Sequence, residues 1–373
     1  MRILFVCGGT AGHINPALVV AEKFKDKSTT AKILFVGAPD SMEEKLVGAA
    51  GFDFVPIVVE GLSRKLSIKG VIRNINSLKV LARASGRAKE IIRNFQPNLI
   101  FGTGGYITYP ILKHGMKMGV KTAIHEQNAF PGITNKALAK KADRVFVANT
   151  QAANLLKTRN PPIVTGNPIR ESLIYTSGQK ARIRLGLDEK PLIYSAGGSL
   201  GAHTVNKIVA DIIAWHAGKN LVNHIHGYGR NGVNSFHKML KERGVSLQND
   251  KRIRISEYIN HSDICLAAAD LVISRCGAIT ISELQVAGKP SILIPSPNVT
   301  ENHQYYNGKV LSDAGAAILL EEKNYNKAEL IAKLSNLLDT PDMLKRMGKA
   351  ASKMAVTNTA DVIVDELLTL MDF

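Results

Sequence analysis

Short apolar runs alternate with longer amphipathic stretches along almost the whole chain. The apolar runs predict buried strands, most of which end in glycine or in a polar cluster. In the first half, strands are predicted at 3–7, 32–36, from about Phe54, and at 97–101, 120–124 and 143–148. In the second half, they are predicted at 192–195, 221–226, 252–255, 271–274 and 291–295. Strands that alternate with helices predict the α/β class, with parallel sheets and right-handed crossovers.

Two of the predicted strands run into glycine-rich turns. The first turn is GGTAGH (8–13), followed by a helix predicted over residues 15–24 with Pro16 in its first turn, and the second is AGGSLGA (196–202). A strand, a glycine turn and a helix N-terminus form an anion site, because free backbone N–H groups and the helix dipole point at the bound group. Two such units, about half a chain apart, predict two similar α/β domains that face one cleft.

Polar residues and a glycine stand where several first-half strands are predicted to end. They are His13, Thr103, Gly104 and the run 125–128. Ligands of parallel sheets bind at the carboxyl ends of the strands, so we expect these residues to cluster at one rim. The segment 160–168 (NPPIVTGNP) combines proline and glycine with a loss of periodicity, which predicts a domain boundary there. An amphipathic helix is predicted at 361–371.

Positive charge is concentrated in the first half of the 373-residue chain. The net charge is +17, and residues 1–166 hold 24 Lys/Arg and 10 Asp/Glu, a net of +14. Within them, residues 62–94 form a basic amphipathic segment with nine Lys/Arg and one acid. Such a segment is either a solvated helix packed on its domain or a contact for anionic lipid headgroups.

Composition and motifs exclude several classes of protein. The three cysteines lack paired spacing, which argues against a disulfide framework and fits a reducing cytoplasm. We see no signal peptide and no apolar run long enough to span a bilayer, so any membrane contact is expected to be peripheral. Neither glycine turn fits G-x-G-x-x-G, no P-loop is present, and no His/Cys/Asp grouping has metal-ligand spacing. With 6% aromatic residues and no aromatic-interleaved basic motif, nucleic-acid binding is not expected either.

Three features can be interpreted both structurally and chemically. His13 either caps local backbone or acts as a general base, since its neutral form is available near pH 7. Glu283, on an apolar stretch, is either a solvated acid or an acceptor for two sugar hydroxyl groups. The amides and histidine of residues 302–307 suit a sugar, but they also suit an ordinary polar loop.

Seven stretches, in this order, resemble the MurG family, the bacterial N-acetylglucosaminyltransferases of peptidoglycan synthesis. They are GGTAGHINPAL (8–18), GTGGY (102–106), HEQN (125–128), GNPIR (166–170), GGSLGA (197–202), RCGAITISEL (275–284) and HQYYN (303–307). The resemblance covers essentially the whole chain and implies a GT-B architecture, with two Rossmann-like domains facing a deep cleft. It implies inverting transfer of N-acetylglucosamine from UDP-GlcNAc to the C4 hydroxyl of the muramoyl sugar of lipid I, which gives lipid II. Another GT-B glycolipid transferase and a UDP-GlcNAc epimerase remain as alternatives.

The resemblance also implies roles for single residues. The donor UDP-GlcNAc would be bound by Thr10, Ala11, Gly12, Asn128, Arg170, Ser199, Ile259, Ala278, Ile279, Thr280, Ile281, Ser282, Glu283 and Gln304. Among these, Arg170 and Ser199 would lie along the nucleotide and its diphosphate, Ile259 would meet uracil through its backbone, and Glu283 would bind the ribose. His13 is the candidate base, and the acceptor-side candidates are Thr103, Gly104, Gly105, Tyr106, His125 and Glu126. No metal or cofactor is implied. Ala11 and Leu200 depart from the glycine and glutamine that are usual in the family.

The resemblance further implies different roles for the two halves of the chain. Residues 1–166 would bind the acceptor and associate with the membrane, residues 167–357 would bind the UDP-sugar, and the terminal helix in 358–373 would pack back on the first domain. The partners would be lipid I, the anionic surface of the cytoplasmic face of the membrane and other proteins of cell-wall synthesis. The implied acceptor side is the half that carries the +14 charge.

Overall fold

The computed structural model describes residues 1–59, 83–247, 250–299 and 302–372. The strands are β1 (Arg2–Cys7), β2 (Lys32–Gly37), β3 (Asp53–Pro56), β4 (Leu99–Gly104), β5 (Lys121–Glu126), β6 (Arg144–Val147), β7 (Ile163–Val164), β8 (Leu192–Ala196), β9 (Asn223–Gly227), β10 (Ile253–Ser256), β11 (Leu271–Ser274), β12 (Ser291–Leu293) and β13 (Ala317–Leu319). Within the described residues, neighbouring strands pair in parallel throughout both sheets, so the predicted α/β class is confirmed.

Helices connect most successive strands. They are α1 (Ala11–Lys27), α2 (Met42–Ala49), α3 (helical residues 83–95), α4 (Thr108–Lys117), α5 (Ile133–Ala139), α6 (Thr150–Leu155), α7 (Glu171–Tyr175), α8 (Gly178–Leu185), α9 (His203–His216), α10 (Phe236–Glu242), α11 (Ser262–Ala268), α12 (Ala278–Ala287), α13 (His303–Asp313), α14 (Lys327–Asp339), α15 (Pro341–Ser352) and α16 (Thr359–Leu370). Short 3-10 turns lie at Arg230–Gly232 and Glu322–Asn324.

The chain divides into two compact units, of which the first comprises Met1–Ile169 and Asn358–Phe373. Its seven strands are ordered β3-β2-β1-β4-β5-β6-β7. Apolar side chains fill both faces of the sheet, as expected for parallel strands covered by helices. On one face the rings of Phe5 and Phe35 are stacked with centroids 5.1 Å apart, and Phe101 meets Phe5 edge-on.

The terminal helix α16 packs against α1 in the first unit. Its apolar face, which includes Ile363 and Leu367, joins the same core as Phe5. The hydroxyl of Thr359, its first residue, donates to the carbonyl of Thr165 (2.6 Å), and Lys27 lies 3.6 Å from Asp361. Apolar burial therefore fixes this helix, with exposed ion pairs adding little.

The second unit, Arg170–Thr357, contains six strands ordered β10-β9-β8-β11-β12-β13. Its main core is formed by the apolar faces of α9, α10 and α14 packed on the central strands.

Two strands, one in each unit, were not predicted from the sequence. The strand β7 is two residues long and lies within the proline-rich segment, and β13 is three residues long, so neither shows a period.

The first helix begins earlier than its sequence predicts. Helix α1 starts at Ala11, because the carbonyl of Thr10 accepts hydrogen bonds from the N–H groups of His13 (3.0 Å) and Ile14 (3.2 Å). Pro16 therefore lies inside the helix, where it offers no N–H to the carbonyl of Gly12. This correction places His13 in the first turn of α1.

The basic segment 62–94 lies only partly within the described residues. Residues 60–82 are outside them, and residues 83–95 form α3. The helix turns Ala84, Ala88, Ile91 and Ile92 into the core and leaves Lys89 and Arg93 exposed. None of the helices in the described ranges combines the length and the apolar character that crossing a bilayer requires.

Candidate active site

A bulge at the end of β4 brings the first glycine turn and the GTGGY motif together. Opposite β1, Gly102 pairs with Val6 and Gly104 pairs with Cys7, so Thr103 is the extra residue. The buried hydroxyl of Thr103 donates to the carbonyl of His13 (2.7 Å), and its own carbonyl accepts from Nε2 of Gln127 (2.8 Å). The predicted clustering of strand-end residues at one rim is therefore observed.

The ring of His13 is held in one tautomer. Its Nδ1 lies 2.9 Å from the carbonyl oxygen of Gly8 and 3.5 Å from the hydroxyl of Thr10. A carbonyl oxygen only accepts, so Nδ1 carries the proton and donates it to Gly8. When the ring is neutral, Nε2 is then the atom that can take a proton. The structural interpretation of His13 is confirmed, since its ring caps the backbone of the first glycine turn, while its role as a base stays a prediction.

Gly104 provides the room that this ring needs. A Cβ at residue 104 would lie 2.9 Å from Cδ2 and 3.1 Å from Nε2 of His13, and the backbone there has a φ of +114°. Both the space and the conformation require glycine. Gly105 likewise lies close to the carbonyl of Gly8, whereas the ring of Tyr106 is exposed. Gly104 therefore shapes the surface against which the His13 ring lies.

The buried carboxylate of Glu126 organises the loop that follows β5. One oxygen accepts from the backbone N–H and the side-chain amide of Asn128, both at 3.0 Å. The other accepts from the N–H of Gly132 (3.0 Å) and the amide of Asn135 (2.8 Å). Four donors compensate for burying this charge. Glu126 thus shapes the loop that presents Asn128, while its direct contact with an acceptor stays a prediction.

His125 lies in the interior of the first unit. Its Nε2 lies 2.9 Å from the carbonyl of Gly166, and burial lowers its pKa to about 4. The amide of Asn167 donates to the carbonyl of Gln127 (3.3 Å). The HEQN loop is therefore hydrogen-bonded to the segment 160–168, in which the domain boundary was predicted. Contact of His125 with a substrate also stays a prediction.

One backbone group of the first glycine turn is already bonded. The N–H of Gly9 donates to Oε1 of Glu43 (3.1 Å), a buried residue in the first turn of α2. This corrects the expectation of a fully free anion site at this turn. Glu43 was missed because it lies 34 residues from Gly9 and no spacing signal connects the two.

The second unit brings together two predicted donor-site residues. Nη2 of Arg170 lies 3.4 Å from Oε1 of Glu283 and 3.4 Å from the hydroxyl of Ser262. Burial raises the pKa of Glu283, and the Arg170 charge opposes that rise. Within the described residues, Nε of Arg170 is buried without a hydrogen-bond partner. Glu283 is therefore half-buried and paired rather than solvated.

Helix α12 carries the RCGAITISEL motif at the carboxyl end of β11. Ile279 and Ile281 point into the core, so only their backbone remains for a ligand, whereas Thr280 and Ser282 are half-buried. The guanidinium of Arg275, for which no role was predicted, forms a 2.6 Å ion pair with Glu322. The motif thus combines core residues, a half-buried ion pair and half-buried polar side chains.

The remaining donor-site candidates lie at three turns of the second unit. The carbonyl of Ser199 accepts from the N–H of Arg230 (3.5 Å), and the neighbouring Leu200 side chain is 56% exposed. A Cβ at Gly227 would lie 3.1 Å from Ile259, so Ile259 packs against the end of β9. Oε1 of Gln304 accepts from the N–H of Ser296 (2.9 Å). These contacts shape the turns, and the predicted ligand contacts remain predictions.

In the described part of the chain there is no group of three or more His, Cys, Asp or Glu side chains arranged to bind a metal ion. Arg170 pairs with Glu283 of α12, a helix whose N-terminal end carries a partial positive charge, and their contact with a diphosphate stays a prediction.

Comparisons with known proteins match the whole chain. Residues 3–147 match the glycosyltransferase family 28 N-terminal domain, and residues 192–363 match its C-terminal domain. The chain is 38% identical to the UDP-N-acetylglucosamine–N-acetylmuramyl-(pentapeptide) pyrophosphoryl-undecaprenol N-acetylglucosamine transferase of Acetivibrio thermocellus, over 100% of this chain and 98% of that protein. The protein of the same name from Ruminiclostridium cellulolyticum is also 38% identical, over 97% of this chain and 98% of its own.

Solved structures agree with this match. The crystal structure of MurG from Acinetobacter baumannii has a TM-score of 0.75 and 25% identity, covering 99% of both chains. A UDP-GlcNAc 2-epimerase from Neisseria meningitidis has a TM-score of 0.67 at 13% identity, over 99% of this chain and 100% of its own. The second similarity shows a common fold alone.

Proposed function

Because the chain belongs to the MurG family within glycosyltransferase family 28, we propose that it transfers N-acetylglucosamine from UDP-GlcNAc to the C4 hydroxyl of the muramoyl sugar of lipid I, giving lipid II. The single structural observation that supports this reaction best is the fixed tautomer of His13, with Nδ1 donating to Gly8. In this tautomer the neutral ring would serve as the base that a hydroxyl nucleophile requires, at a rim of strand ends in the first unit.

The proposed step is a single displacement. Nε2 of His13 takes the proton of the acceptor hydroxyl, the hydroxyl oxygen forms a bond to the anomeric carbon, and the bond from that carbon to the diphosphate breaks. The electron pair leaves with UDP, and the anomeric configuration inverts. A base aligned in this way contributes about 10²- to 10⁴-fold to the rate.

The second unit supplies groups suited to the departing nucleotide. Arg170 would stabilise the negative charge that develops on the diphosphate, assisted by the N-terminal end of α12. The carboxylate of Glu283 would accept hydrogen bonds from the ribose hydroxyls. The Arg170–Glu283 pair is consistent with both roles, because each charge compensates the other where both are partly desolvated, and the donor would replace each partner.

The function is tested by measuring UDP release from UDP-GlcNAc with and without a short-chain lipid I analogue. We expect release that depends on the acceptor, together with a disaccharide product. Release without acceptor, or conversion of UDP-GlcNAc to another UDP-sugar, would contradict the proposal and favour the epimerase. A diacylglycerol acceptor that replaces lipid I would instead favour another glycolipid transferase.

We further propose that the first unit binds an anionic membrane surface. Lys89 on α3 and Lys113 and Lys117 on α4 are exposed, and their charges act on one buried ring, that of His114. Burial and then these lysines lower the pKa of His114, whose Nε2 contacts the hydroxyl of Ser85. One surface thus carries several like charges, which suits lipid phosphates.

Charge reversal at this surface tests the membrane proposal. The triple variant Lys89→Glu, Lys113→Glu, Lys117→Glu is expected to lose at least about 100-fold in affinity for vesicles that contain phosphatidylglycerol, because each basic residue contributes about 1 kcal/mol near such a surface. Co-sedimentation with vesicles measures the change, and activity on a water-soluble acceptor is expected to persist.

A matched control reverses three exposed lysines of the second unit, Lys241, Lys333 and Lys349. It changes the net charge by the same amount, so it separates a local surface from a general charge effect. Equal binding losses in the two triple variants would argue against a docking surface on α3 and α4.

A further inference from the structure

The peptide group between Gly8 and Gly9 is hydrogen-bonded to a side chain at each end. Its C=O accepts from Nδ1 of His13 (2.9 Å), and its N–H donates to Oε1 of Glu43 (3.1 Å). The N–H and C=O of a trans peptide point in opposite directions, so the two side chains approach it from opposite sides. One peptide group therefore connects a carboxylate to the imidazole of the proposed base.

The position of Glu43 is fixed by its surroundings. It is the second residue of α2, whose N-cap Ser41 accepts from the N–H of Glu44, and its side chain is buried. A Cβ at Gly8 would lie 2.9 Å from Oε1 of Glu43 and 2.8 Å from Ile107. The carboxylate therefore packs closely against the glycine turn. The N-terminal end of α2 favours a negative charge there.

A carboxylate bonded to the N–H of a peptide polarises that peptide. Electron density moves toward the C=O oxygen, because hydrogen bonds in a chain strengthen one another in a low-dielectric interior. The carbonyl of Gly8 then accepts more strongly from Nδ1 of His13, most of all when the ring is positively charged. In Ser-His-Asp sites the acid contacts the imidazole directly, whereas here a peptide group lies between them.

We propose that Glu43 is a positioning residue for His13 that acts through the Gly8–Gly9 peptide group. It holds the tautomer in which Nε2 is unprotonated and stabilises the ring once Nε2 has taken a proton. The proposal rests on the proposed function above only in that the proton comes from the acceptor hydroxyl. The bonds that carry it lie within the first unit.

Replacing Glu43 with glutamine tests the proposal, since the Gln oxygen still accepts from the N–H of Gly9 but carries no charge. In Glu43→Gln we expect kcat to fall about tenfold and the KM for UDP-GlcNAc to stay within about twofold. On the acidic side of the pH profile, the pH of half-maximal kcat is expected to move about half a unit lower, because the protonated ring loses a stabilising charge. The double variant with His13→Gln is expected to lose no more activity than His13→Gln alone.

Glu44→Gln is the matched control, because Glu44 is the next residue of the same helix and its carboxylate bonds the N–H of Asp40 (2.7 Å) instead. It is expected to leave kcat and the pH profile unchanged. A folded Glu43→Gln protein with an unmoved acidic limb would overturn the proposal. So would a double variant whose loss equals the product of the two single losses.

Two NMR measurements separate this proposal from the transferase reaction and from folding. The ring resonance of His13 is expected to titrate at lower pH in Glu43→Gln, in the absence of any substrate. In the wild type, the chemical shift of the Gly9 amide proton is expected to change with pH at the same midpoint as the His13 ring. This measurement needs no variant. A Gly9 resonance that does not follow His13 would overturn the proposal, whereas missing UDP release with lipid I would overturn only the proposed function.

Discussion

Replacing His13 with glutamine is expected to lower kcat for transfer to a lipid I analogue by about 10²- to 10⁴-fold, the range contributed by a positioned general base. Glutamine approaches the size of histidine, but it cannot take a proton near pH 7. The KM for UDP-GlcNAc is expected to change little, because Arg170 and Glu283 of the second unit are proposed to bind the donor. Initial rates of UDP release at saturating donor and acceptor measure the effect.

The pH profile distinguishes a lost base from a displaced side chain. The wild-type rate is expected to fall on the acidic side as Nε2 of His13 becomes protonated, and this limb is expected to disappear in His13→Gln. His237→Gln, at an exposed histidine of α10, is the control and is expected to behave as the wild type. A His13→Gln protein whose kcat lies within about threefold of the wild type would remove His13 from the reaction.

The sequence predicted the elements at the rim because their signals are local. An apolar run followed by glycine is visible within a few residues, and so the ends of β1, β4 and β5 were located to within three residues. The start of α1 was misplaced since Pro16 was taken as a first-turn residue, whereas the helix begins at Ala11, four residues before the predicted start at residue 15.

Features that depend on tertiary contacts left no such signal. Glu43 reaches the first glycine turn from another helix, and Arg170 meets Glu283 across 113 residues. The interior position of His125 was equally hidden, because an HEQN run at a strand end has the same sequence whether its first side chain faces inward or outward. Sequence therefore predicted the strand ends and turns that carry the candidate site, while the hydrogen bonds of His13 and the Arg170–Glu283 pair required the fold.

A second large effect is expected in the stability of the second unit at low pH. Three buried histidines, His224 and His226 of β9 and His216 of α9, form a hydrogen-bonded chain with Ser195 of β8. Nε2 of His216 lies 2.9 Å from Nδ1 of His224, and the hydroxyl of Ser195 contacts His224 (2.8 Å) and His226 (2.9 Å). Burial lowers the pKa of His216 to about 4 and that of His226 to about 3, and lowers the pKa of His224 strongly.

These shifts fix the sign of the pH dependence. The folded unit keeps each ring neutral, whereas the unfolded chain binds protons below its ordinary histidine pKa of about 6.5. Stability is therefore complete above that pH, falls as the pH drops through 6.5, and stops falling only below the folded values. At pH 5, each histidine costs about 2 kcal/mol relative to pH 8. His216 and His224 share one hydrogen bond, so protonating one ring affects the other. Their joint effect on the free energy of unfolding is therefore smaller than the sum of the two separate effects.

Urea titrations followed by the fluorescence of Trp215 test this expectation, because the single tryptophan of the chain lies in the second unit beside His216. The free energy of unfolding is expected to fall by several kcal/mol between pH 8 and pH 5, a large part of the 5–15 kcal/mol typical of a domain. His226→Leu is expected to remove about 2 kcal/mol of that difference, since Nε2 of His226 is buried without a partner in the described residues. If His226→Leu keeps the full pH dependence of the wild type, His226 takes no part in it. Leucine binds no proton in the folded or the unfolded chain, so it cannot contribute to that dependence.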